Sequence, residues 1–191
     1  MDPTVAAALI SACAIVASGL LTLWITGRQE AARRSAVTRA RVEDFERLEM
    51  DRRRSECLGI AEEFYGLIDW FALFPVDGSW DECWTVFQEQ KAEKFDNSVR
   101  KAVAIGGPAE LRSRILHVLK ALPHVELYAT YSRRSNYAEL ISLLRLGGDM
   151  AADAARGNTG TTDAAYEDLV RLGINHVNPE LARLRRQESG D

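Results

Sequence analysis

A run of 23 residues from Thr4 to Thr26 contains no charged side chain, and no other feature constrains the chain as strongly. Wound as a helix at ~1.5 Å per residue, it is about 35 Å long, against roughly 30 Å for the hydrocarbon core of a bilayer. Lipid offers no partner for backbone N–H and C=O groups, so a spanning segment of this kind has to be helical. Trp24 stands near one end, where an indole sits at headgroup level. A cleaved secretory signal would carry a basic stretch before the apolar run and a small-x-small site after it. Here Asp2 precedes it, and Leu-Thr-Leu-Trp-Ile-Thr, residues 21–26, closes it. A buried core helix of this length would show one polar face. Residues 1–27 are therefore expected to form a single-pass transmembrane anchor.

The charges beside the run give it a direction. Residues 28–41 hold Arg28, Arg33, Arg34, Arg39 and Arg41 against Glu30 alone, five minus one or a local excess of +4, whereas the other flank is Met1-Asp2-Pro3. The positive-inside rule puts that arginine cluster, and all that follows, on the cytoplasmic side of the cell (inner) membrane, with the N-terminus outside. The same arginines suit membrane lipids with anionic headgroups, although setting topology explains them sufficiently. Ala8 with Ala12, and Ala14 with Ser18, recur at the four-residue spacing that lets helix backbones approach closely. They mark a candidate packing face for a homo-oligomer; the plainer explanation is that small residues are common in an anchor of modest hydrophobicity.

The chain's net charge of −4, less +4 for residues 28–41 and −1 for Asp2, leaves −7 for residue 42 onward. An acidic domain argues against general binding of nucleic acid. Cys13, Cys57 and Cys83 contain no C-x-x-C pair, so neither a disulfide framework nor a zinc ribbon is expected, and free thiols suit a reducing cytosol. Of 24 basic residues 20 are Arg, a bias associated with GC-rich bacterial genomes.

Residues 28–56 contain neither Pro nor Gly and are rich in good helix formers, so the anchor is expected to continue as a charged juxtamembrane helix. Val37, Val42, Phe45 and Leu48 form a thin apolar stripe that lapses at Asp51-Arg-Arg-Arg54. Fewer than three heptads survive, which favours a solvated helix laced with i,i+4 pairs such as Glu43 with Arg47 over a coiled coil.

Residues 57–191 read as one α-helical domain, an antiparallel bundle. Cys57 to Phe74 is apolar nearly all round, with Glu62 and Asp69 as a narrow polar strip, and is expected at the centre of the core. Pro75 to Gly78 ends it, and Ser79 to Glu82 is a capping box opening a helix from Trp80 to about Ala104, with Trp84, Phe87, Phe95 and Val99 inward. Gly106-Gly107 closes that helix, and Pro108 takes the first position of the next, whose apolar face is Leu111, Ile115, Val118, Leu119 and Leu122. Pro123 breaks or kinks it, and Val125 to Tyr131 is expected as a short helix of its own. Another runs from Asn136 through Leu146, with Gly147-Gly148 as a kink or close-packing point. Gly157 to Gly160 is a loop, and the last helix starts at Thr162-Asp163 and is interrupted at Asn178-Pro179. No strand or internal repeat is expected.

Reactive groups are sparse. His117 and His124 lie seven apart but across Pro123, and no H-E-x-x-H or comparable metal pairing is present. Asp149 and Asp153 are four apart, yet two carboxylates without a phosphate-binding motif make a weak Mg²⁺ site. Glu62 and Asp69 read as a solvated strip, and Trp80 with Trp84 as core packing rather than an exposed aromatic patch. No phosphate loop or activated nucleophile occurs, so no cofactor and no enzymatic activity is expected. The expectation is a membrane-tethered helical interaction module that recruits or positions an unknown cytosolic protein partner. The alternative is a membrane-perturbing effector, holin-like or of the abortive-infection type, acting through oligomerised transmembrane helices.

Overall fold

The computed structural model describes the backbone of residues 3–73, 79–106, 108–158 and 160–189 and, within these, the side chains of all but 3–17, 31, 105, 106 and 188. The described residues are all-helical, without a strand. The chain divides into two units, Met1–Glu49 and Met50–Asp191.

The first unit consists of the early part of helix α1 (Pro3–Ala72). Among the described residues no helix is long and apolar enough to cross a membrane. Of the uncharged run, only residues 18–26 have described side chains. Nine residues reach about 13 Å, under half of a hydrocarbon core. Ala8, Ala12 and Ala14 lie outside the described residues; Ser18 is exposed. Val37, Val42, Phe45 and Leu48 are 51–69% exposed, as a solvated helix requires. The expected pair Glu43 with Arg47 is not formed. Arg34 instead meets Glu30 at 3.6 Å, and in the following unit Arg52 meets Glu56 at 3.7 Å; such exposed pairs contribute little.

The second unit is a bundle. From Met50 onward α1 buries Cys57, Ile60, Ala61, Phe64, Leu67 and Phe71, a stripe at i, i+3/i+4 and i+7. Glu62 and Asp69 are exposed as the expected polar strip, but the outer side is wider than that strip, with Leu58, Gly66 and Leu73 also facing away from the core. The expected stop from Pro75 to Gly78 lies outside the described residues. The central element is α6 (Asn136–Arg156), which buries Leu140, Leu143, Leu144, Leu146, Gly147, Gly148, Met150, Ala151, Ala152 and Ala155. Small residues thin this helix so that neighbours close in from several sides. It packs mainly on α4 (Ala109–Ala121) and α5 (Val125–Ser132).

Gly147-Gly148 is a close-packing point and not a kink. A Cβ on Gly147 would overlap the Phe64 ring, and one on Gly148 would lie 2.9 Å from Cε1 of Tyr65. Phe64 is fully buried and meets Phe95 edge-on at 5.2 Å, so one ring ties three helices together.

The expected helix from Trp80 to Ala104 is two helices, α2 (Trp80–Phe87) and α3 (Glu93–Gly106), joined by the π turn Gln88–Ala92. Phe87 and Phe95 are both buried and eight residues apart. In an uninterrupted α-helix that spacing rotates the second residue roughly 80° off the first. A turn with i→i+5 bonding absorbs the excess and returns both rings to the core. The same device recurs between α7 (Asp163–Leu172) and α8 (Asn178–Glu188), where the π turn Gly173–Val177 aligns buried Leu169 with buried Val177. It also precedes Pro179, which cannot donate to the carbonyl four residues back.

Other local expectations shift by a residue or two. Pro108 is the N-cap of α4 and not its first residue. Ser79 caps α2 without a side-chain bond. That helix start is instead held by Trp80, whose Nε1 donates to Glu126 Oε1 at 2.9 Å and whose ring stacks on Trp84. Pro123 sits in a 3₁₀ turn, Leu122–His124, ahead of α5. Ser135 caps α6 by accepting from the Ala138 N–H, and left-handed Gly157, φ 72°, ends it; Gly107, at the expected close of α3, lies outside the described residues.

The glycines provide a contrast to measure in urea unfolding of residues 50–191. Gly147→Ala should destabilise by about 1–3 kcal/mol, because Phe64 has to leave its rotamer. Gly59→Ala, where a Cβ meets nothing within 4 Å, should stabilise by about 0.5–1 kcal/mol through helix propensity alone.

Candidate functional site

A cleft of about 650 Å³ lies between α6 and α7, bounded at one end by the last turn of α5 and at the other by Thr161 and Thr162. It exists because α7 is tied to α4 from the opposite side. Arg114 donates to both Asp163 and Glu110, its guanidinium lies 4.9 Å over the Tyr166 ring, and His117 Nδ1 approaches the Tyr166 hydroxyl at 3.3 Å. The apolar wall of the cleft includes Ile141, Leu146, Leu169 and Leu172.

Six charged side chains line this cleft: Arg134, Glu139, Arg145, Asp149, Asp168 and Arg171. Glu139 is buried, with 4% of its surface exposed. Its Oε2 accepts from the Ser132 hydroxyl at 2.8 Å and faces Arg134 at 3.5 Å. Arg134 also donates to Ser142. On the facing helix Arg171 meets Asp168 at 2.8 Å. The chain reverses into the cleft through Arg133, the non-glycine residue at positive φ (58°) among the described residues. A bulky residue there is strained, and its neighbours Ser132 and Arg134 both line the site.

Asp149 connects the cleft to α1. Its Oδ1 accepts from the Tyr65 hydroxyl at 2.5 Å. Burial, then that hydrogen bond and the Asp149 charge, push the Tyr65 phenol from 10.0 up to about 12, so the phenol stays a neutral donor. Asp153, one turn on, is committed elsewhere, accepting from Thr161 and pairing with Arg156. The two carboxylates considered as a Mg²⁺ pair thus serve different partners. Among the described residues no group of three or more His, Cys, Asp or Glu side chains converges as metal ligands do.

The remaining residues singled out by sequence are dispersed. His117 and His124 are half-buried on separate elements; burial, and secondarily Lys120 and Arg185 respectively, lower their basicity. Glu62 and Asp69 are exposed. Trp80 and Trp84 stack at 5.3 Å and lie half-buried against the core. Cys57 and Cys83 are buried free thiols whose ionisation burial suppresses. In the first unit Arg28 covers the Trp24 ring at 4.4 Å, and Arg33, Arg34, Arg39 and Arg41 are exposed. The charged lining of the cleft was not anticipated. Its members sit on helix faces or, for Arg134, in the connection between α5 and α6, and only Asp149 carried any sequence signal. Comparison with known protein families, curated proteins and solved structures finds no match to this chain.

Because the Tyr65 pKa is raised on folding, the stability it contributes is present below pH 10 and is lost as pH rises through about 12. Tyr65→Phe should flatten that alkaline loss, as read from urea midpoints measured across the range. An unchanged slope would show that folding does not raise the phenol's pKa.

Proposed function

We propose that this chain is a membrane-tethered helical interaction module that holds a protein partner at the cytoplasmic face of a membrane. The reading is carried by the exposure of Leu20, Leu21, Leu23, Trp24 and Ile25, which are 42–72% accessible and directly precede the exposed arginines Arg28, Arg33 and Arg34. Five large apolar side chains within six residues, interrupted only by Thr22, are costly in water, and among the described residues of their unit none covers them; a bilayer removes that cost. Trp24 beneath Arg28 suits the headgroup level, where the indole and the guanidinium are both accommodated. Residues 18–26 are the near end of the uncharged run, whose full 23 residues match a hydrocarbon core. The acidic second unit has its own core, so it supplies a folded surface for a partner.

The full chain should remain with membranes through an alkaline wash, and deletion of residues 1–27 should release it. Crosslinking in membranes followed by mass spectrometry should return a partner that residues 50–191 also bind in isolation. A fragment that neither retains a specific partner nor self-associates would remove the proposal, and collapse of membrane potential on expression would replace it with the membrane-perturbing reading.

A further inference from the structure

The six charges of the α6–α7 cleft do not all satisfy one another. Arg134 is paired with Glu139, and Arg171 with Asp168. Arg145 and Asp149 are left over, and among the described residues neither has an ion-pair partner. Both belong to α6, one turn apart, and both line the cleft. Their order, cation before anion at i,i+4, is the less favourable one for pairing along a helix. The Tyr65 hydroxyl engages Oδ1 of Asp149 and leaves Oδ2 for another donor. Tyr65 orients that carboxylate without supplying a countercharge.

A ligand that completes this arrangement has to bring one negative and one positive group. Side chains four apart on a helix start about 6 Å from each other. A carboxylate and an ammonium on the same carbon bridge such a gap when each adds a charge-assisted bond of about 2.8 Å. The cleft volume lies within the range of small-molecule sites, and Leu169 and Leu172 give it an apolar wall. We propose that the cleft binds a small zwitterion of the α-amino-acid type with an apolar side chain, its carboxylate on Arg145, its ammonium on Asp149 and its side chain against Leu169 and Leu172. This proposal does not depend on membrane attachment.

The test is calorimetry on the purified full-length chain, titrated at millimolar concentration with L-leucine, L-valine, L-methionine and L-phenylalanine. Leucine is then compared with isocaproate, which lacks the ammonium, and with isoamylamine, which lacks the carboxylate. At least one amino acid should bind, and each singly charged analogue of leucine should bind more weakly by about tenfold. Arg145→Ala alters an exposed side chain and should retain the native circular dichroism spectrum. It should weaken amino-acid binding by about tenfold while leaving isoamylamine unaffected, and Asp149→Asn should show the reverse preference. Absence of heat with all four amino acids, equal binding of leucine and its two analogues, or wild-type binding by Arg145→Ala would each overturn the proposal.

Discussion

The second unit depends on the approach of the Phe64 ring to the bare backbone of Gly147. Helices with ordinary side chains stay 8–10 Å apart, and only the loss of a Cβ lets an aromatic ring lie on the helix surface itself. With Phe64 seated there, its edge meets Phe95, and α1, α3 and α6 share one dense centre. The next residue repeats the arrangement in polar form: Tyr65 lies over Gly148 and extends its hydroxyl to Asp149. Packing and polar chemistry are therefore set by two adjacent pairs of residues.

The cleft follows from the same economy of contacts. α7 has one buried leucine, Leu169, and an otherwise polar or half-exposed surface. A helix with so little apolar area cannot be held by burial alone. The Arg114 bonds to Glu110 and Asp163, and its position over Tyr166, provide the directional hold on α4. Because that hold acts on one side, the side facing α6 stays open, and the charges along it are left to find partners across the gap or from solution.

The helical class was legible in sequence because Leu111, Ile115, Val118 and Leu122 repeat at helical spacing, and because Pro123 and Gly157 punctuate as their backbone chemistry demands. Gly147-Gly148 was legible as either a kink or a close approach, and nothing in sequence decided between them or named the ring that fills it. Cys57 to Phe74 takes its expected place in the core, with Ile60, Phe64 and Phe71 fully buried. What its richness in large apolar residues did not show is that the thinner α6 shares that centre, since small side chains allow more neighbours. The π turns left no trace in the apolar pattern, which reads through them as continuous helix. The cleft was invisible because Arg134, Glu139, Arg145 and Asp149 come from one stretch and Asp168 and Arg171 from another, and only the fold opposes them. The uncharged run is plain as chemistry, and most of it lies beyond the described side chains.

The two π turns have a consequence for how this sequence tolerates change in length. Each holds one residue more than an α-turn would, so removing a residue from Gln88–Ala92 would not shorten the bundle appreciably. It would twist α3 about its axis by roughly 100° and carry Phe95 away from Phe64. Gly173–Val177 stands in the same relation to Val177 and Leu181. Single-residue deletions there act as rotations rather than as losses of length. Among relatives with gaps, these two turns should therefore keep their length.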